Sequence, residues 1–432
     1  MNTLALQPRI ESKALDAVAF FLPILLVVQF DLVGTFYLAE ALTLVLAPML
    51  LLTTKKSVIT KEVKILATFF ALHCLGLIIA DNVNQSATDD LLRGWAKQFF
   101  LSINFLVYLV LITSNPLRIF HSVMGLGVFL IAISIVEFNE FALRWKFGMA
   151  PGIVLIAISA NGLAMVRGGG IRNYSLSAFL LASMGLFSFF LNSRTNAAIM
   201  LLAAAVLIFV TKDEIKSSMV RRLRRHTSLG LALIAVSIGV TFVYDTGARL
   251  GWFGESVRYS YSVQAVREFG PLGIIAGART EILVGAQAVI DSPIIGHGSW
   301  ARDREYRMLL RDLMSQLQGI ETGRLNEYIY GSDIIPAHSH IIGDWVWAGI
   351  FGGLFWAFVL VCSLRLLRLW AYLPDELVVL VAFLVADSIL EILVAPFGGT
   401  RRLQWGIILA IITYLLTYVS RRREEQLDTA SN

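Results

Sequence analysis

The chain has 432 residues, 57% of them hydrophobic and only 16% charged, against roughly a quarter charged in ordinary soluble domains. Whole stretches of about 17 to 20 residues carry almost no charge, which excludes a water-soluble fold and makes lipid the solvent. The net charge of +5 is dispersed in short basic clusters between apolar runs and forms no single stripe, so it argues against a nucleic-acid partner and reads as a set of topology signals.

Apolar runs occupy positions 15–35, 38–53, 63–80, 97–113, 118–138, 150–166, 174–191, 195–211, 228–245, 341–362, 376–395 and 403–420. The fold class they predict is an all-α polytopic membrane protein of about twelve transmembrane helices. The first run follows Arg9 and Lys13, as a signal peptide would, but it continues past Phe30 with no small-residue cleavage site and is expected to stay as a helix. With a cytoplasmic N-terminus, 20 lysines and arginines fall in the cytoplasmic connections and tails and 7 in the short outer ones, which favours cytoplasmic termini. The division expected is spans 1 to 9 in residues 1–245, an outer loop in 246–340, spans 10 to 12 in 341–420 and a cytoplasmic tail in 421–432. Within the loop, Tyr306, Leu309, Leu310, Leu313, Met314 and Leu317 recur at helical spacing. They predict an amphipathic helix that either lies on the membrane or packs on the bundle.

The residues that could carry chemistry gather on the outer side. Arg194 stands between two apolar runs with almost no room for a loop. It either snorkels to the headgroups or offers its planar fork to a phosphate or pyrophosphate. Arg279 falls in the first turn of a short helical segment ending at Asp291-Ser292-Pro293. The helix dipole opposes a cation there, so it needs Glu281, another acid or a bound phosphate nearby. Gly296-His297-Gly298-Ser299 lacks the lysine and spacing of a P-loop and reads as a turn needing glycine at positive φ. His338 and His340 lie where the loop enters the tenth span. Either can act as a general base on an acceptor hydroxyl or bond a backbone carbonyl, and no acidic or cysteine partner at ligand spacing supports a metal. Asp387 and Glu391 share one helix face and are expected to hold outer arginines such as Arg401 or Arg279 in place. Cys74 and Cys362 lie far apart in apolar runs, so neither a disulfide nor a metal site is expected.

In this order and spacing the motifs resemble the O-antigen ligase and polymerase superfamily of bacterial envelope polysaccharide assembly. Ser193-Arg194 is similar to the family's Ser-Arg at the outer end of a helix. Arg279 followed by Pro293-Ile294-Ile295-Gly296-His297-Gly298 is similar to its arginine, short helix and Pro-x-x-Gly-x-Gly turn. His338 matches its loop-terminal histidine, with Gly349 eleven residues on. Ser339 departs from the family's more usual asparagine.

The resemblance implies ten to fourteen spans with one dominant periplasmic loop in an inner membrane. It implies a metal-independent, inverting glycosyltransferase that needs no nucleotide or other cofactor. The donor would be a glycan on undecaprenyl pyrophosphate and the acceptor a lipid A core sugar. His338 would serve as base, and Arg194 and Arg279 would bind pyrophosphate. Apart from the resemblance, in which His340 does not align with the family's histidine, Glu391, His340 and Arg401 are read from their own positions as supporting residues. The single large loop and the absence of extra C-terminal domains favour a ligase over a polymerase or a protein-glycosylating relative. A lipid-linked oligosaccharide transporter is the rival from another class, although no internal repeat supports it.

Overall fold

A computed structural model describes residues 12–32, 34–53, 58–209, 239, 242–264, 279–318 and 332–431. Its elements are α1 (Lys13–Ile24), a hairpin of β1 (Gln29–Asp31) and β2 (Thr35–Tyr37), α2 (Leu38–Thr53), α3 (Lys61–Asn84), α4 (Thr88–Ser114), α5 (Arg118–Glu137), α6 (Phe141–Val166), α7 (Tyr174–Phe190), α8 (Arg194–Phe209), α9 (Glu255–Gln264), α10 (Thr280–Asp291), α11 (Arg304–Gln318), α12 (His340–Arg368), α13 (Asp375–Val394) and α14 (Arg401–Ser431). The protein is therefore an all-α membrane protein. Among the described residues seven helices are long and apolar enough to cross a bilayer: α3, α4, α5, α6, α12, α13 and the Arg401–Glu425 part of α14. Three more apolar helices, Leu38–Leu52, Tyr174–Phe190 and Arg194–Ile208, are shorter.

Two runs differ from their sequence reading. The first does not stay helical to position 35: after α1 a short 3-10 turn at Leu25–Val27 leads into the hairpin, where Gln29 pairs with Tyr37 and Asp31 with Thr35. Gly34 at φ 138° turns that hairpin, a conformation open to glycine alone. The run at 150–166 instead begins at Phe141, passes through a π-turn at Trp145–Met149 and resumes as α-helix at Ala150. The run at 228–245 lies mostly outside the described residues, with helix at 242–249.

Local capping sets several boundaries. Thr60 and Asn173 accept bonds from Val63 and Leu176 at the starts of α3 and α7, and Gln85 in the left-handed region ends α3. α13 and α14 are the most enclosed spans. α4 packs on α14, α3 on α12, and α8 on both α7 and α13. In lipid there is no hydrophobic drive between helices, so close backbone contact carries more of the association. α5 and α6 meet in this way at Gly127 and Gly152, where a Cβ on either would stand 2.7 or 2.6 Å from the other's carbonyl oxygen.

The described part of the loop folds onto this bundle. Val284 and Ala288 of α10, Tyr306 and Leu310 of α11, Ile335 and Val346 form one buried cluster, so α11 is a packed helix. The turn after Pro293 docks into a break in α12. Gly349 has φ 60° and ψ −151°, and a Cβ there would lie 2.0 Å from the Ile294 carbonyl oxygen. The helix bonds lost at the break are replaced by loop backbone: His297 and Gly298 donate to the carbonyls of Val346 and Trp347, and Ile350 donates to Ile294. Asp81 of α3 clamps the other side, accepting bonds from the Ser299 amide at 2.6 Å, the Ser299 hydroxyl and Trp95. The glycine-rich turn thus joins the loop to two helices.

Candidate functional site

Arg194, Arg279 and His338 come from three distant stretches and meet at one end of the bundle. α7 ends at Phe190, Asn192 turns the chain at φ 54°, and Arg194 opens α8 with its guanidinium over the Tyr244 ring at 5.4 Å. Arg279 caps the start of α10. Its Nη2 donates to Thr195 Oγ1 at 3.5 Å, and its Nε donates to the Val394 carbonyl at 3.1 Å. That carbonyl closes α13, where partial negative charge offsets the unfavourable position at the start of α10. Burial lowers the pKa of Arg279, Glu281 raises it and Arg194 lowers it, so all three groups share one field. Guanidinium groups are planar donor arrays whose geometry matches that of an oxyanion such as phosphate.

His338 is half-buried. Burial lowers its pKa below the ordinary imidazole value, Glu281 pulls it up and Arg279 pushes it down. Its neighbours hold it there. The Ser339 hydroxyl donates to the Ile392 carbonyl at 2.9 Å while capping α12 through Ile342, and His340 Nδ1 lies 2.6 Å from the Ala395 carbonyl. Two consecutive residues are thereby pinned to the last turn of α13, the same turn that Arg279 contacts. A neutral imidazole in the field of Arg279, whose guanidinium reaches Thr195 beside Arg194, is equipped to accept a proton next to a bound anion.

The other residues singled out in the sequence form the frame around this group. His340 is fully buried in a box of Trp356, Phe397 and Trp405, so it does not share the half-exposed setting of His338. Glu391 pairs with Arg401 and also accepts a bond from Gln404 at 3.5 Å, while Asp387 acts on the same arginine. The expected brace between α13 and an outer arginine therefore goes to Arg401, while Arg279 bonds α13 through backbone.

A second charged group had no counterpart in the sequence reading. Asp344, one turn into α12, lies 3.3 Å from Lys97 of α4 and 3.7 Å from His73 of α3, and accepts a bond from Trp356 Nε1. Lys97 also faces the Trp347 and Phe397 rings at 3.9 and 4.2 Å. At the hairpin, Arg402 pairs with the fully buried Glu40 at 2.8 Å. The available signal was ionisable residues inside apolar runs, which are costly in lipid unless paired. Lys146 was also missed: its carbonyl accepts from Asn196, two residues after Arg194, at 2.9 Å.

Neither any protein-family model nor any curated protein matches the chain.

Proposed function

We propose that this protein is a membrane glycosyltransferase of the O-antigen ligase kind. It has about twelve spans, both termini in the cytoplasm of a bacterial cell and its reaction on the periplasmic face of the inner membrane. It transfers a glycan from undecaprenyl pyrophosphate to a lipid A core sugar. His338 takes the proton of the acceptor hydroxyl as that oxygen attacks the anomeric carbon. The bond from that carbon to the pyrophosphate oxygen breaks, the electron pair leaves with the polyprenyl pyrophosphate, and the configuration inverts. Arg194 and Arg279 bind the pyrophosphate and stabilise the charge that grows on it.

The observation that carries this reading is the meeting of two arginines and a neutral histidine at one end of an apolar bundle, with Arg279 bonded both to Thr195 beside Arg194 and to the helix end that anchors the His338 segment. A transporter of the same lipid would use the arginines but has no need of the base.

The test is reconstitution of purified protein with undecaprenyl-pyrophosphate glycan and lipid A core, without ATP or metal, beside His338→Ala. Product from the wild type and a loss of about 10²- to 10⁴-fold in the variant is expected for removal of a general base. Equal product from both would remove His338 from the mechanism. Glycan that lengthens when the donor alone is supplied would make the protein a polymerase, and donor crossing the vesicle without product would make it a transporter.

A further inference from the structure

We propose that Lys146 is a third anion-binding residue of this site and contacts the second phosphate of the lipid donor. This inference rests on the reading of Arg194 and Arg279 as pyrophosphate ligands. It adds a residue from a helix that supplies neither of them.

The π-turn at Trp145–Met149 inserts an extra residue into the start of α6, and such bulges re-aim side chains within a helix. Its geometry is fixed on the inner side, where Trp145 is buried and its Nε1 donates to Ser188 Oγ at 3.0 Å. Lys146 follows on the exposed side, its ammonium 4.9 Å from the Phe147 ring centre. Its backbone is tied directly to the arginine turn: the Asn196 amide donates both to the Lys146 carbonyl and to Ser193 Oγ, at 2.9 Å each. Lys146 stands in the fields of both Arg194 and Arg279, and Arg279 in that of Arg194. Among the described residues Lys146 makes no ion pair.

Three cations from three helices thus act on one another, with the Lys146 backbone tied to the arginine turn through Asn196, although bringing like charges together costs free energy. Glu281 answers part of that charge. A diphosphate diester carries one negative charge on each phosphorus and spans farther than a single phosphate. Two planar forks suit one set of oxygens, and a compact ammonium on a flexible stem suits the remainder. The exposed position of Lys146 makes the ligand accessible to it without distortion of the bundle.

The experiment uses the full-length protein in detergent with farnesyl diphosphate and farnesyl monophosphate as probes, reading each affinity by titration calorimetry. For Lys146→Ala we expect diphosphate binding to weaken about tenfold, as loss of one charge-assisted contact predicts. Monophosphate binding should stay as in the wild type, Lys146→Arg should restore most of the diphosphate affinity, and melting temperatures should be unchanged. Diphosphate affinity unchanged in Lys146→Ala, with the wild type binding diphosphate tightly, would overturn the role of Lys146 alone. An equal loss for both probes would also overturn it, since Lys146 would then serve a general field. A wild type that binds neither probe would sink the pyrophosphate reading itself.

Discussion

Two charged groups, one at Asp344 of α12 and the other at Arg194, Arg279 and Lys146, are built on opposite rules. At Asp344 the charges are opposite in sign, matched and buried: Lys97 and Asp344 retain 6% and 2% exposure. At Arg194, Arg279 and Lys146 the charges share a sign and lie half-buried or exposed. A charge deep in an apolar bundle has only protein to answer it, so the bundle supplies the partner. A cluster of like charges with access to the outside leaves room for a partner that arrives from outside. The first group ties α3, α4 and α12 together, and the second, answered in part by Glu281, is where the proposed ligand would bind.

The largest effect should come from breaking the matched group. Asp344→Asn leaves Lys97 buried with no carboxylate, and loss of one partner of a buried pair costs about 3–5 kcal/mol. Denaturation in detergent should show that loss. Joint replacement by Lys97→Met and Asp344→Leu should recover most of it, because the buried pair is not itself strongly stabilising. If Asp344→Asn is as stable as the wild type, the contrast between the two groups fails.

Arg279→Lys tests the other group. Lysine keeps the charge but lacks the fork that reaches Val394 and Thr195 together. Loss of the bidentate grip on the proposed pyrophosphate, worth about 1.5–3 kcal/mol, should reduce glycan transfer about 10- to 100-fold, and loss of the bonds to Val394 and Thr195 should lower stability in denaturation as well. A variant that transfers normally would remove the fork from the mechanism.

Next comes the junction that seats the loop beside both groups. Gly349→Ala forces a side chain into a conformation held by glycine, with its Cβ against the Ile294 carbonyl, at a cost of about 1–3 kcal/mol. Limited proteolysis should cut faster around residues 294–299 in the variant, and equal rates would show that the break in α12 does not hold the loop.

How much of this was legible in the sequence follows from which forces are local. Long apolar stretches and basic clusters report solvent directly, so seven spans could be read from composition alone. Arg194, Arg279 and His338 were legible because each is a polar interruption at the margin of an apolar run. Their meeting was not, since it depends on Arg279 reaching the end of α13, a contact 115 residues away. The hairpin at 29–37 was hidden because Val27, Val28 and Phe30 suit a strand as well as a span. The break at Gly349 was hidden because one glycine inside a helical pattern has no local signature until the loop backbone that fills it is known. Lys146 was read as a topology charge, and only the π-turn and Asn196 give it a direction.

The smallest expected effect probes His338, the base proposed above. Burial holds the His338 pKa below about 6.5, the ordinary imidazole value, so the imidazole is neutral at pH 7 and transfer should fall only as pH drops through that lowered value. Glu281 raises the pKa and Arg279 lowers it. Glu281→Gln removes the raising charge while Arg279 remains cationic, so the pKa falls further. The acid limb of the pH–rate profile should then move to lower pH, leaving the variant relatively more active than the wild type in mild acid. A shift of the limb toward higher pH would mean that Glu281 supports His338 in another way, and an unmoved limb would mean that a different group sets the acid side of the profile.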